Sequence, residues 1–321
     1  MNKMIVGSAI AATMSATMAM AASWDMPTPY PEAEFHTKNV QMFVEDVAKA
    51  TNGSLTIKVH SGQSLFKHPE IKRAVQTNQV PIGEMLMANL QNDDAIFGVD
   101  AVPFLATNYA DAKKLWDAQR DLVQESLSKQ GLQLLYAVPW PGQGFYTKKP
   151  INSLNDLQGV KFRTYNAATA NMAELMGAVP TIVEAVEIPQ AFSTGVVDAM
   201  VTSGATGQRT KAWDFSTHFY DLNAWMPKNM IFVNKRAFAK LSSSEQKALL
   251  DAAATAETRG WQMSEDIASA STKALGAAGM TVEAGSETLV NGLKGVGETL
   301  TTQWLKNAGD RGEAIMKAYQ N

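Results

Sequence analysis

The sequence predicts an α/β protein of two discontinuous lobes joined by one long helix. Three observations lead there. Strand and helix signals alternate along the chain beyond residue 22. A helical pattern opening at Ser242 persists to about Gly276; at about 1.5 Å per residue it spans roughly 50 Å, wider than a small domain. The 321 residues, enough for two domains, hold no internal repeat or low-complexity linker. The chain must therefore cross between its domains more than once.

Each element has a local cause. The first residues form a leader: Lys3 is the only charge before Asp25, Met4 to Met20 is small and apolar, and Ala19-Met20-Ala21 fits a cleavage site. A secretory signal peptide is expected over 1–22, the rest being soluble. A helix carrying Phe43, Val44 and Val47 ends at Asn52-Gly53. Leu55, Ile57 and Val59 alternate with polar residues as a strand. PIGEMLMANL from Pro81 reads as a buried strand with its exit loop. Asp111 to Lys129 is helical and stops at Gly131; Leu132 to Val138 is the next strand. Ser153 and Asp156 form a capping box, and Val160 to Thr164 is a strand. Helices Ala167–Met176 and Glu187–Thr194 stop at Gly177 and Gly195. GVVDAMVT is a strand entering a Gly-rich loop. Ser242 and Glu245 cap the long helix, Met280 to Glu283 is a short strand, and helices follow to the end.

Composition excludes several functions. With no cysteine there is no disulfide, thiolate chemistry, Cys-based zinc site or lipid-anchoring thiol. A net charge of -3 without a basic stripe argues against nucleic acid. Catalytic motifs GxSxG, Walker A and HExxH are missing. Gly142-Gln143-Gly144 resembles the start of a dinucleotide loop but lacks its third glycine. His36, His60, His68 and His218 are scattered singly and read as surface or structural residues. Asp93-Asp94 reads as a solvated turn or helix cap. No cofactor and no metal are expected.

The middle of the chain carries the binding signal. Trp140-Pro141-Gly142-Gln143-Gly144-Phe145-Tyr146 is an aromatic, Gly-rich turn between strands. Arg163 stands at the C-terminal end of an otherwise apolar strand, where ligands of open α/β sheets bind. Its planar fork can hold a carboxylate through two parallel hydrogen bonds.

Leu154, Leu157, Gly159, Arg163, Asn166-Ala167-Ala168-Thr169, Gly177-Ala178, Pro180, Glu187, Thr194-Gly195 and Val197-Asp198 follow one another as in a known family. This stretch resembles the signature region of TRAP transporter solute-binding proteins of the dicarboxylate-binding, DctP-like periplasmic type. VEDVAKATNGSLTIKVH, AVPFL and KLSSSEQKALLDAA extend the resemblance over nearly the whole chain after the leader. It implies the two-lobe periplasmic binding protein fold, a central ligand cleft, a long helix beneath, hinge closure around a small organic acid, and delivery to a TRAP membrane permease. It also implies that Arg163 pairs with the ligand carboxylate.

The departures shape the expected site. Where many members carry Gln-Glu-Asn, this chain has Ala199-Met200-Val201-Thr202, so Thr202 or Ser203 must replace the amide. The second arginine of sialic-acid binders falls at about Gln143, and their glutamate near Leu86 or Met87, which argues against sialic acid. Trp140, Phe145, Tyr165, Trp213 and Trp225 supply aromatic walls, suited to an aromatic acid, a 2-oxo acid with an apolar tail, or a sugar acid. Tyr30 or Glu32, from the loop Thr28–Glu32, reaches the ligand's far end; Glu32 also suits a helix N-terminus. Lobe I is expected over 23–140 plus 229–268 and lobe II over 141–228 plus 269–321, in a monomer. The alternatives are a periplasmic enzyme, or a binding protein serving a sensor, on the same two-lobe fold.

Overall fold

A computed structural model describes residues 22–320. The predicted leader thus falls, but for Ala22, outside the described residues. The first lobe begins with strand β1 (Ala22–Pro27), helix α1 (Phe35–Ala50), β2 (Leu55–His60), α2 (Ile71–Gln76), β3 (Ile82–Leu86), α3 (Tyr109–Lys129) and β4 (Leu132–Pro139). The chain then enters the second lobe with β5 (Gln143–Thr147), β6 (Lys161–Thr164), α4 (Ala167–Leu175), β7 (Val179–Ile182), α5 (Ile188–Ser193), β8 (Ala199–Ser203), α6 (Gly204–Arg209) and β9 (His218–Tyr220). It returns as β10 (Lys228–Asn234), α7 (Lys235–Ala239) and α8 (Ser243–Ala277), and ends with β11 (Thr281–Glu283) and α9 (Glu287–Gln320).

In the first lobe β10 lies between β3 and β4, antiparallel to both, and β1 pairs in parallel with β2. The second lobe is one mixed sheet in the order β11-β9-β5-β8-β6-β7. In it β6 runs parallel to both neighbours, while β5 runs antiparallel to both of its own. Parallel pairing places the C-terminal ends of β6 and β8 at the same edge, the edge that faces the first lobe.

The lobes are joined by paired strands. Past β4 the chain crosses at Trp140–Gly142, and it comes back at Asn223–Pro227. These segments hydrogen-bond to each other: Trp140 N–H donates to Pro227 O (2.8 Å), Gln143 N–H to Trp225 O (2.9 Å) and Ala224 N–H to Gln143 O (2.9 Å). Gly142 permits this approach, since a Cβ there would fall 2.1 Å from Asn223 Oδ1 and 2.8 Å from its Cα. The aromatic, Gly-rich turn seen in the sequence is thus the hinge.

Helix α8 is the predicted spine. Its 35 residues span roughly 52 Å. Ser242 Oγ accepts from Glu245 N–H (3.3 Å) and Glu245 Oε2 from Ser242 N–H (2.9 Å), closing the capping box. Leu249, Ala253 and Ala256 pack into the first lobe beside Phe43 and Tyr136. Near the other end, Leu275 packs in the second lobe with Tyr146 and Phe219. Helix α9 bridges as well. Leu289 and Leu293 belong to the second-lobe core with Phe145 and Phe162. Beyond a break at Gly309 (φ 55°), Ile315 packs with Trp116 and Phe97 of the first lobe, as does Trp304 before it. The tail assigned to lobe II therefore returns to lobe I, because its apolar stripe continues across the interface.

Candidate functional site

A cavity of about 40 Å³ lies where the lobes meet beside the hinge. Tyr30 and Trp140 line it from the first lobe and hinge, and Gln143, Arg163, Tyr165 and Thr202 from the second.

Arg163 sits where β6 ends and is 2% exposed. Its Nε donates to Val183 O (2.9 Å) and its Nη1 to Val201 O (3.1 Å), carbonyls beside the flanking strands. The guanidinium lies 5.3 Å from the Tyr165 ring, a cation–π contact. Two of its five N–H groups are thus used, and no carboxylate lies within ion-pair distance among the described residues. Burial pushes its pKa down to about 10, with Tyr165 and Glu184 opposing, so it remains a cation at neutral pH. A buried cation with no carboxylate in ion-pair contact, and with N–H groups left over at a cavity wall, is an anion receptor.

The aromatic walls are fixed from behind. Tyr30 Oη and Trp140 Nε1 both donate to Asn229 Oδ1, at 3.1 and 3.0 Å. Asn229 Nδ2 donates in turn to Glu84 Oε1 (2.8 Å). Their polar tips are spent on this network, so the cavity meets ring surface. On the other side, Trp225 Nε1 donates to Tyr165 Oη (3.1 Å), and Gln143 Nε2 donates to Pro141 O (3.0 Å).

Five expected site residues lie elsewhere. Phe145 is in the core, edge-on to Phe162 at 5.2 Å, because β5 turns that side chain inward. Ser203 Oγ accepts from Thr206 N–H (3.2 Å) and caps α6. Trp225 is buried behind Tyr165 and acts on the cavity only through it. Glu32 is exposed; Glu34, two residues on, caps α1 instead. Trp213 packs half-buried against the core that holds Tyr146 and Phe192.

The cavity also gains residues that the sequence did not single out for it: Glu184, Thr206 and His68, the last having been read as a surface or structural histidine. Glu184 Oε2 and His68 Nδ1 are 3.3 Å apart, across the lobes. Glu184 follows an edge strand in a stretch with no motif, and nothing local marks it. No cluster of three or more potential metal ligands occurs among the described residues.

Residues 28–298 match the family described as bacterial extracellular solute-binding protein, family 7. The chain belongs to that family.

Solved structures agree. DctP7 of Bordetella pertussis, an extracytoplasmic solute receptor binding pyroglutamic acid, is 46% identical, with 94% of this chain and 100% of that one covered and a TM-score of 0.93. DctP6 of the same organism, also binding pyroglutamic acid, is 43% identical over 93% and 99%, with a TM-score of 0.92. A marine metagenome TRAP solute-binding protein in complex with co-purified pyroglutamate is 42% identical over 94% and 99%, with a TM-score of 0.92. The C4-dicarboxylate-binding periplasmic protein DctP of Rhodobacter capsulatus is 28% identical over half of this chain. This family 7 protein is a solute receptor of the TRAP transport type. No helix among the described residues is long and apolar enough to cross a membrane.

Proposed function

We propose that this receptor captures pyroglutamate, or a ring acid of that size, in the periplasm, and hands it to a TRAP membrane permease. The observation that carries the reading is Arg163: a buried cation whose spare N–H groups border a small interlobe cavity with aromatic walls. A carboxylate supplies the missing counter-charge, and the flat faces of Tyr30 and Trp140 suit a five-membered ring. The pyroglutamate-binding receptors above, at 42–46% identity, support the same ligand. Tyr30, Trp140, Gln143, Tyr165 and Thr202 line the cavity with Arg163 and are its proposed contacts.

Capture is a hinge motion. Lobe I, over 23–140 and 229–268, and lobe II, over 141–228 and 269 to about 300, swing about the paired crossings at Trp140–Gly142 and Asn223–Pro227. Open, Arg163 is hydrated; with ligand bound, contacts from both lobes favour closure in proportion to the ligand's preference for that state. The receptor acts as a monomer, since each half of the site comes from one chain.

Thermal unfolding with a carboxylate panel tests this. L-Pyroglutamate is expected to raise the melting temperature by mass action, and its primary amide to leave it unchanged. A shift with neutral or cationic solutes but none with any acid overturns the reading.

A further inference from the structure

The cavity holds a second charge, which anchoring a carboxylate on Arg163 leaves unused. Glu184 lines the same cavity, its side chain 25% exposed. His68 Nε2 accepts from the backbone N–H of Leu86 (3.1 Å), so the imidazole proton is on Nδ1. His68 is therefore a donor to Glu184 Oε2, reaching from the first lobe to the second. Glu184 Oε1 has no protein donor among the described residues. Burial pushes this carboxyl up, but the His68 hydrogen bond and the positive charge around it, Arg163's included, more than offset that and hold it below the ordinary value.

Most of the other polar groups on the wall are committed. Tyr30 and Trp140 donate to Asn229. Gln143 gives Nε2 to Pro141 and has Oε1 near Tyr165 Oη (3.5 Å). The Thr202 hydroxyl is also uncommitted but neutral; the charged acceptor left free in the cavity is Glu184 Oε1, and an ionised carboxylate can only accept.

We propose that Glu184 is the specificity-determining residue of this site: it accepts the ring N–H of a lactam whose carboxylate is held by Arg163. The proposal rests on the pyroglutamate reading and deepens it. A ring oxygen in place of the N–H would set two acceptors against each other, and a second carboxylate would meet like charge. A site built around a substrate N–H rejects the analogue lacking it far more strongly than apolar packing rejects a methylene. With His68 on the opposite lobe, the acceptor is fully oriented only when the cleft is shut.

Isothermal titration of the wild type, Glu184→Gln and Glu184→Ala with three ligands tests this. They are L-pyroglutamate, its lactone counterpart 5-oxotetrahydrofuran-2-carboxylate, and L-proline. The wild type is expected to prefer the lactam to the lactone by about 100-fold or more, a value moderated by partial exposure. Both variants are expected to narrow that preference to about 10-fold or less, by losing pyroglutamate affinity. Wild-type preference and affinity in both variants would overturn the assignment while leaving pyroglutamate as ligand. Failure of the wild type to bind pyroglutamate would overturn the ligand reading itself. Tighter binding of proline would overturn the lactam assignment, since Glu184 would then pair with a ring ammonium.

Discussion

At the scale of single residues, the site is organised by where charge is left uncompensated. Arg163→Ala is expected to weaken pyroglutamate binding by about 2–5 kcal/mol, roughly 30- to 5,000-fold, because it removes one partner of a desolvated pair. Arg163→Lys keeps the charge and loses the fork, so an intermediate Kd is expected by titration. Glu84, buried behind the aromatic wall, supplies a pH dependence. Burial, eased by hydrogen bonds such as that from Asn229, raises its pKa from 4.5 to about 7. Between these values the unfolded chain has lost its proton while the folded one keeps it, so this group lowers stability as pH rises. Above pH 7 the full cost, about 3 kcal/mol, is in place. Glu84→Gln should therefore gain stability in urea unfolding at pH 8 and little at pH 5; equal gains at both would refute the cause. Arg163 was legible in the sequence because an arginine in an apolar strand demands an account. Glu184 and His68 were not, since each is unremarkable alone and 116 positions separate them.

At the scale of elements, local chemistry predicted what is local. The capping boxes at Ser153 and Ser242 form, and Gly177 (φ 77°) and Gly195 (φ 69°) stop their helices because that backbone region suits glycine. Strand β10 escaped notice for a physical reason. KNMIFVN is buried on both sides between β3 and β4, so no alternation shows, and a lysine and an asparagine open it. Those two are satisfied only by distant partners, Lys228 by Asp100 and Asn229 by Glu84. Helix α8 conceals a similar long-range requirement. A Cβ on Gly260 would fall 2.4 Å from Val138 Cγ2 and 2.6 Å from Asn39 Nδ2. The Asn39 side chain meanwhile donates to Ala256 O and accepts from Arg259 Nε. Gly260→Ala gains up to about 1 kcal/mol of helix propensity but overpacks at a cost of about 1–3 kcal/mol. A lower urea midpoint is expected; a higher one would mean that β4 and α1 can retreat from the spine.

At the scale of the whole molecule, closure is held by contacts that never touch the ligand. Glu34 caps α1 through Oε1, while its Oε2 accepts from Arg209 Nε of the second lobe at 2.8 Å. Glu34 is 2% exposed, and burial raises its pKa although Arg209 opposes. Arg209 also donates to Ala185 O, next to Glu184, so one guanidinium ties the α1 cap to the cavity rim. This pair spans the two lobes, so parting them would break it. Arg209→Ala leaves a buried carboxylate without its partner in the closed form and hydrated in the open one. The equilibrium then shifts toward open, and apparent affinity falls with the closed fraction. A rise in Kd of roughly 5- to 150-fold, the range of a 1–3 kcal/mol coupling, is expected by titration. Small-angle scattering should show a larger ligand-free radius and an unchanged ligand-bound one. Adding Glu34→Gln should recover part of the affinity, because the penalty lies in the stranded charge and not in lost ligand contact. An unaltered Kd in Arg209→Ala would mean that the ligand's own contacts with the two lobes hold the cleft shut without the Glu34–Arg209 pair.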